Sequence, residues 1–406
     1  MSGVRSYAVV TASYWGFTLT DGALRTLVLL HFNQLGFTPF QLASLFLLYE
    51  AAGIVANFIG GWLATHFGIP RMLMCGLLLQ IGGLGLLCAL DPSWQPPLSV
   101  AWVVVAQGVA GIAKDITKTA AKSALKAISE GEHGRLFRWV AWFTGSKNAM
   151  KGIGFFLGGL LLERFGFRPA LALMMGGLVI VLTGIATTLP STLGKAKASR
   201  SFKELFAKSR AVNLMAAARM FLFGSRDVWF VVGLPLFLYG QGWRYREVAG
   251  FLAVWTVGYG IFQALAPYVV RRSEDGLSQE VVETRIWNVV LAGIPLLLAL
   301  MIERVPSNYV EVLVTGGLCV FGVAFAVMSS LHSYLILAYA GSEKAAEDVG
   351  FYYAANAAGR LIGIVLSGVL TQTAGLEGCL WGAVGMLLAC VALTLMLPNA
   401  AHGSAA

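Results

Sequence analysis

The run DGALRTLVLLHFNQLGFTPFQLAS at 21–44 decides the fold, because DVWFVVGLPLFLYGQGWRYREVAG at 227–250 lies over it at a shift of 206 residues. In that register Asp21 meets Asp227 and Gly36 meets Gly242. A second pair repeats the relation at a shift of 209: KGIGFFLGGLL at 151–161 lies over RLIGIVLSGVL at 360–370. Lys151 then meets Arg360, Gly154 meets Gly363, and Gly159 meets Gly368. One plan is used twice along the chain.

Composition says what the plan is made of. The 406 residues are 57% hydrophobic and 12% charged, with 48 glycines and a mean hydropathy of +0.74. A soluble chain of that length exposes far more charge. Apolar stretches long enough to span a bilayer recur throughout. They predict twelve helices, at 6–33, 38–66, 70–90, 97–125, 136–163, 167–189, 211–240, 245–270, 284–303, 309–339, 347–373 and 377–397. The expected fold is an all-α integral membrane protein of two six-helix bundles, 1–190 and 211–398. A cytoplasmic linker, 191–210, joins them, and 399–406 form a tail. The first helix is not a cleaved signal peptide, since it holds Asp21 and Arg25 and no small-residue cleavage site.

Basic residues orient the bundle. With the N-terminus inside, thirteen loop cations fall on the inner side, among them Arg71, Arg135, Arg138, Lys195, Arg271 and Lys344. Only Arg164, Arg168, Arg244, Arg246 and Arg304 fall outside. The positive-inside rule then places both termini in the cytoplasm, in a bacterial inner membrane. The net charge of +9 follows partly from this bias and does not point to nucleic acid.

Two six-helix halves around a central loop are the parallel-repeat plan of the major facilitator transporters, whose substrate sites lie near mid-membrane. GGWLATHFGIPRML at 60–73 resembles the superfamily's signature, a Gly-x-Leu-Ala-Asp-Arg-x-Gly run. Gly61, Leu63, Ala64, Gly68 and Arg71 fit; Thr65 and His66 replace the acidic and basic pair.

Ionisable residues inside the spans carry the functional signal, since each costs at least ~3 kcal/mol at bilayer depth. The cations are Arg25, Lys114, Lys118, Lys147, Lys151, Arg219, Arg226 and Arg360; the anions are Asp21, Glu50, Asp115 and Asp227. Eight against four leaves an excess of four positive charges, which suits an anionic cargo. Lys114, Lys118, Lys122 and Lys126 fall every fourth residue and form one helical stripe. The last two are expected to snorkel to the interface. Asp21 with Arg25, and Asp115 with Lys118, have the spacing of helical ion pairs, and Glu50 is placed to answer one of the cations. Lys147 with Lys151, and Arg219 with Arg226, are like-charge pairs on one face, which a purely structural role does not explain. Ser329, Ser330, Ser333 and Tyr334 could complete an anion's hydrogen bonds. Asp21, Asp115 and Asp227 are candidates for coupling or gating, since protonating a carboxylate would release its cationic partner.

Other chemistries find no support. Cys75, Cys88, Cys319, Cys379 and Cys390 show no metal-ligand spacing and no CxxC. There is no HExxH, nucleophile elbow or phosphate-binding glycine loop. No cofactor and no enzyme activity are expected. A soft metalloid cargo would call for grouped thiolates, whereas guanidinium and ammonium groups suit hard oxyanions.

YWGFTLTDGALRTLVLLHFNQLGFTPFQLASLFLLYE, GIAKDITKTAAKSALK and GRLFRWVAWFTGSKNAMKGIGFFLGGLLL resemble the ArsJ family, the organoarsenical efflux branch of the major facilitator superfamily. That resemblance implies export of 1-arseno-3-phosphoglycerate, giving arsenate resistance. It also implies a functional link to the glyceraldehyde-3-phosphate dehydrogenase that makes the compound, in a protein expected to be monomeric in the bilayer. The other readings are an organophosphate or phosphate transporter of the same superfamily, and a non-transporting membrane sensor.

Overall fold

The computed structural model describes residues 2–56, 69–91, 93–128, 133–189, 209–271, 273–274, 277–339 and 345–398. Among them every regular element is a helix. In chain order these are α1 (Ser2–Gln34), α2 (Pro39–Ser44, resuming over 47–56), α3 (Ile69–Cys88), α4 (Pro96–Ile128), α5 (His133–Phe165) and α6 (Phe167–Thr188). The second half holds α7 (Arg210–Phe230), α8 (Gly233–Gly240), α9 (Tyr245–Val269), α10 (Ser278–Ile302), α11 (Ser307–Tyr339) and α12 (Ala345–Leu395).

Nine stretches among the described residues have the length and apolarity of a membrane span. α1 and α5 are not among them, although each runs 33 residues, or about 50 Å of helix. Both carry intramembrane charge: Asp21 and Arg25 on α1, Lys147 and Lys151 on α5.

The sequence repeat reappears as backbone geometry. Gly36 (φ 82°) and Gly242 (φ 91°) both turn the chain through the left-handed region that an L side chain resists. Two residues beyond each, the same cap forms. The Thr38 N–H donates to the Gln41 side chain at 2.9 Å, and the Arg244 N–H donates to Glu247 Oε2 at 2.8 Å. Thr38 also accepts from the Gln41 N–H, completing a capping box.

The chain groups into two compact units, Met1–Ser201 with Trp243–Val257, and Phe202–Gly242 with Gly258–Ala406. In the first, α1 packs on α5 at backbone distance. A Cβ on Gly154 would stand 2.4 Å from the Leu19 carbonyl oxygen. In the second, α7 packs on α12 the same way, and a Cβ on Gly363 would stand 2.6 Å from the Gly224 carbonyl oxygen. The equivalent glycines thus make equivalent helix crossings.

Four helices differ from expectation, the first being the span expected over 38–66, which breaks at Leu45 and Phe46. The span expected unbroken over 211–240 is interrupted at Val231 and Val232, between α7 and α8. Pro235 removes a ladder N–H there, and the Val232 and Gly233 N–H groups donate instead to Ser367 Oγ at 3.2 and 3.3 Å. α10 starts at Ser278, not at 284. Its first turns are polar in sequence but buried, and Glu280 accepts from Ser273 Oγ at 2.6 Å. α12 is continuous by hydrogen bonding but turns at Gly375 (φ 63°, ψ −154°), between the two helices expected at 347–373 and 377–397.

Most of the signature run at 60–73 and of the linker at 191–210 lies outside the described residues. So do the side chains of Lys122, Lys126, Arg135 and Arg138.

Candidate anion-binding site

The intramembrane charges gather into one group in each unit. In the first unit α1 supplies Asp21 and Arg25, α2 supplies Tyr49 and Glu50, and α4 supplies Lys114, Asp115 and Lys118. Glu50, 1% exposed, is the hub. Its carboxylate meets Arg25 Nη1 at 3.3 Å and Lys114 Nζ at 3.6 Å. Asp115, also 1% exposed, takes Lys118 Nζ at 3.0 Å and Lys114 Nζ at 3.7 Å. Tyr49 donates its hydroxyl to Asp21 at 2.5 Å and presents its ring to Lys114, 4.0 Å from the centroid. Two carboxylates and three cations interlock, and Tyr49 ties Asp21 to them.

The spacing of Asp21 and Arg25 allowed a pair on one helix; that pair does not form. Arg25 turns to Glu50 and Asp21 to Tyr49. The Asp115–Lys118 pair does form. Gly53 makes the crossing of α2 and α4 possible at this point, since a Cβ there would meet Asp115 Oδ2 at 2.6 Å. Lys147 and Lys151 are half-buried on α5, and Lys151 Nζ lies 5.6 Å from the Phe155 ring centroid.

In the second unit α7 supplies Arg219, Arg226 and Asp227, and α12 supplies Arg360. Asp227, 1% exposed, is held from both sides. Arg226 engages Oδ1 through Nε at 2.7 Å and through Nη2, and Arg360 Nε engages Oδ2 at 3.0 Å. One carboxylate therefore answers two guanidinium groups.

Arg219 is different. It is 5% exposed, and no carboxylate among the described residues lies within ion-pair distance. Nη1 donates to the Ser329 carbonyl at 3.2 Å and to Ser329 Oγ at 3.3 Å, while Nε has no hydrogen-bond partner. The guanidinium stacks 3.9 Å from the Phe223 centroid and 5.0 Å from that of Tyr352. Such contacts are worth up to ~2 kcal/mol when desolvated. Burying an unpaired charge costs several kcal/mol. Arg226 also centres over Phe223, at 5.1 Å, so this ring serves both members of the like-charge pair.

The sequence reading named every cation and carboxylate in these groups. It passed over Tyr49, Phe223, Tyr259, Gln263 and His332. Gln263 offered the clearest signal, as an amide in the middle of an apolar span. Ser330 and Ser333 bond backbone carbonyls, at Gln263 and Ser329 respectively. Trp229 packs in the core against Phe321. Among the described residues no three His, Cys, Asp or Glu gather as a metal ion requires, and the cysteines are unpaired thiols.

Buried charge on packed, glycine-bearing helices, repeated in two halves, defines a solute carrier. The sequence profile of the Major Facilitator Superfamily matches residues 8–347, and the chain belongs to that superfamily. It is a multi-pass membrane transporter of that class and not an enzyme. Solved structures agree on the fold. The nucleoside transporter NupG superposes with a TM-score of 0.75 at 14% identity, over 98% of this chain and 100% of that one. A D-xylose–proton symporter gives 0.71 at 14% identity, with 98% of each chain covered. A bacterial homologue of human drug and peptide transporters gives 0.70 at 14% identity, again with 98% of each covered. Comparison with curated proteins by sequence returns no match.

Proposed function

We propose that this transporter exports an organic oxyanion, 1-arseno-3-phosphoglycerate, and thereby protects the cell from arsenate. The observation that carries the anionic cargo is Arg219, a buried guanidinium with no carboxylate partner among the described residues. The resemblance of the first-half runs to organoarsenical efflux proteins carries the particular cargo. A hard, multiply charged ester is matched by guanidinium and ammonium donors. The absence of a thiol or carboxylate metal cluster among the described residues is consistent with that choice.

The site draws on Arg25, Lys114, Lys118, Lys147, Lys151, Arg219, Arg226 and Arg360. Asp21, Asp115 and Asp227 hold the empty site together and act in gating. Both termini lie in the cytoplasm of a bacterium, with six-helix bundles at 1–190 and 211–398 on either side of a cytoplasmic linker. The protein works as a monomer downstream of glyceraldehyde-3-phosphate dehydrogenase, which forms the ester when arsenate replaces phosphate.

The test is arsenate tolerance in a sensitive host. Cells given this protein and the dehydrogenase together should outgrow cells given either alone. Protection against arsenite by the transporter alone, with no effect of the dehydrogenase, rejects the reading. Uptake into inverted vesicles that inorganic phosphate abolishes, with no discrimination for the arseno-ester, assigns the protein to phosphate or organophosphate transport instead.

A further inference from the structure

His332 on α11 is fully buried, and neither ring nitrogen has a hydrogen-bond partner. A neutral imidazole carries one N–H donor and one bare acceptor nitrogen, and this core position leaves both unmet. Buried polar groups are nearly always hydrogen-bonded. A packing role would be filled as well by an apolar side chain of similar size. The position of the ring is more informative. Ser329 lies three residues back on the same helix, where neighbours share a face. It takes Arg219 Nη1 on its carbonyl at 3.2 Å and on its hydroxyl at 3.3 Å. Arg219, the guanidinium without a carboxylate partner among the described residues, acts on His332 electrostatically.

The helices around this place offer little to balance a further charge. On α7, Asp227 is taken by Arg226 and Arg360. Tyr259 of α9 stands at Ser329 Oγ, 3.1 Å away, and the Tyr352 ring of α12 lies 5.0 Å from Arg219. α10 packs on α11 and carries the buried Glu283. It also carries Glu280, bonded to Ser273, and Arg285, bonded to the carbonyls of Thr394, Leu395 and Leu397. The charge that bears on His332 is that of Arg219. A proton on the imidazole of the empty site would set a second positive charge against an unpaired one. An oxyanion on Arg219 reverses that balance, because it brings negative charge into a buried place where attraction is strong. Histidine is the side chain whose charge changes near neutral pH.

We propose that His332 is a proton site linked to the cargo: it takes a proton from water when an oxyanion binds at Arg219 and returns it to water when the oxyanion leaves. This rests on the reading of Arg219 as a cargo residue and adds a proton to what is carried. The linkage is reciprocal, so anion and proton raise each other's affinity by the same factor. Passage of the cargo then moves one negative charge fewer, and transport responds to the pH gradient as well as to voltage.

The experiment uses the full chain purified in detergent, with sulfate as the probe and chloride at matched ionic strength as control. Sulfate keeps its charge across the range in which histidine titrates, so a pH dependence belongs to the protein. Wild type should bind sulfate at least ~5-fold more tightly at about pH 6 than at about pH 8. In weak buffer with a pH indicator, it should take up protons as sulfate binds. His332→Gln should change its sulfate affinity less than ~2-fold over the same range and take up none. Should that variant fail to fold, His332→Phe decides, since it deletes both unmet nitrogens. A merely structural histidine would alter stability and leave the pH profile in place. Wild type that binds no sulfate, or binds it without proton uptake, overturns the proposal whatever the variants do. So does a pH dependence that persists in a folded variant. Failure of the cargo reading is separate: proton uptake lost with His332, in a protein that gives no arsenate tolerance with the dehydrogenase, keeps the proton site and rejects the ester.

Discussion

Asp21 and Asp227 occupy equivalent places in the repeat, yet one accepts a tyrosine hydroxyl and the other is gripped by two arginines. The same contrast runs through the groups they belong to. In the first unit Glu50 and Asp115 interlock with Arg25, Lys114 and Lys118, and Asp21 takes a tyrosine hydroxyl, while Lys147 and Lys151 on α5 bring that unit to five cations and three carboxylates. In the second, Arg226 and Arg360 share one carboxylate, and Arg219 has none within ion-pair distance among the described residues. The backbone plan was kept in both halves, as the matched turns at Gly36 and Gly242 show. The electrostatics were not. An interlocked group is complete in itself, whereas a group in cationic surplus is completed by something from outside.

The largest effects should come from the two hub carboxylates. Asp227→Asn removes a buried carboxylate from two half-buried guanidinium groups, and breaking a buried ion pair costs about 3 kcal/mol or more. Glu50→Gln takes the carboxylate from Arg25 and leaves Lys114 to Asp115, and should cost somewhat less. Thermal unfolding in detergent checks both. Asp227→Asn should gain more stability from added phosphate than wild type does, and Glu50→Gln should gain no more than wild type. Equal gains in the two variants would erase the contrast between the units.

Next come the helix crossings. Gly154→Ala and Gly363→Ala each push a Cβ to within 2.6 Å or less of a backbone carbonyl oxygen. Overpacking of this kind costs ~1–3 kcal/mol. Gly82→Ala, where nothing lies within 4 Å, is the control. Yield of folded protein and its unfolding temperature decide it, and losses at Gly82 as large as at Gly154 would show that crowding is not the cause.

Transport should then separate the cations. Arg219→Gln should lower efflux at least ~10-fold, while Lys118→Gln, whose side chain is 21% exposed and paired with Asp115, should lower it only a few-fold. Vesicle flux normalised to expression measures the ratio. A reversed order would move the binding role to the first unit.

The smallest effects belong to the stitches between elements. Ser367→Ala removes the acceptor of the Val232 and Gly233 N–H groups and should cost ~1–2 kcal/mol. Thr38→Ala opens the capping box and should cost ~1 kcal/mol or less. Amide hydrogen exchange at Val232 and at Gln41 reports each locally.

Local rules made much of this visible in advance. The shift of 206 residues found both left-handed glycines, and the crossing glycines followed from the shift of 209. The i, i+3 spacing found Asp115 with Lys118. What stayed hidden depends on helices far apart in sequence. Nothing in the spacing says that Arg25 prefers Glu50, 25 residues on, to Asp21 four residues back. Nothing says that Arg360 reaches Asp227 across 133 residues. The early start of α10 was missed because glutamates in a helix's first turns read as loop until their burial and their partner are known. The break before α8 was legible in Pro235 and was passed over because the flanking residues are uniformly apolar.

The surplus of two positive charges in the second unit has an electrical consequence. With an inside-negative membrane, each elementary charge moved across the full field is worth ~2.3 kcal/mol per 100 mV. For the proposed cargo, whose phosphate and arsenate groups bring about three or four negative charges, the occupied group would be net negative and the empty one net positive. The same voltage would then favour outward passage of the loaded group and inward return of the empty one. The first unit, with Lys147 and Lys151 beside its interlocked group, carries an equal surplus and would add to both steps. Asp227 would thus divide the voltage dependence between the two legs of the cycle, and neutralising it would shift the division toward the return.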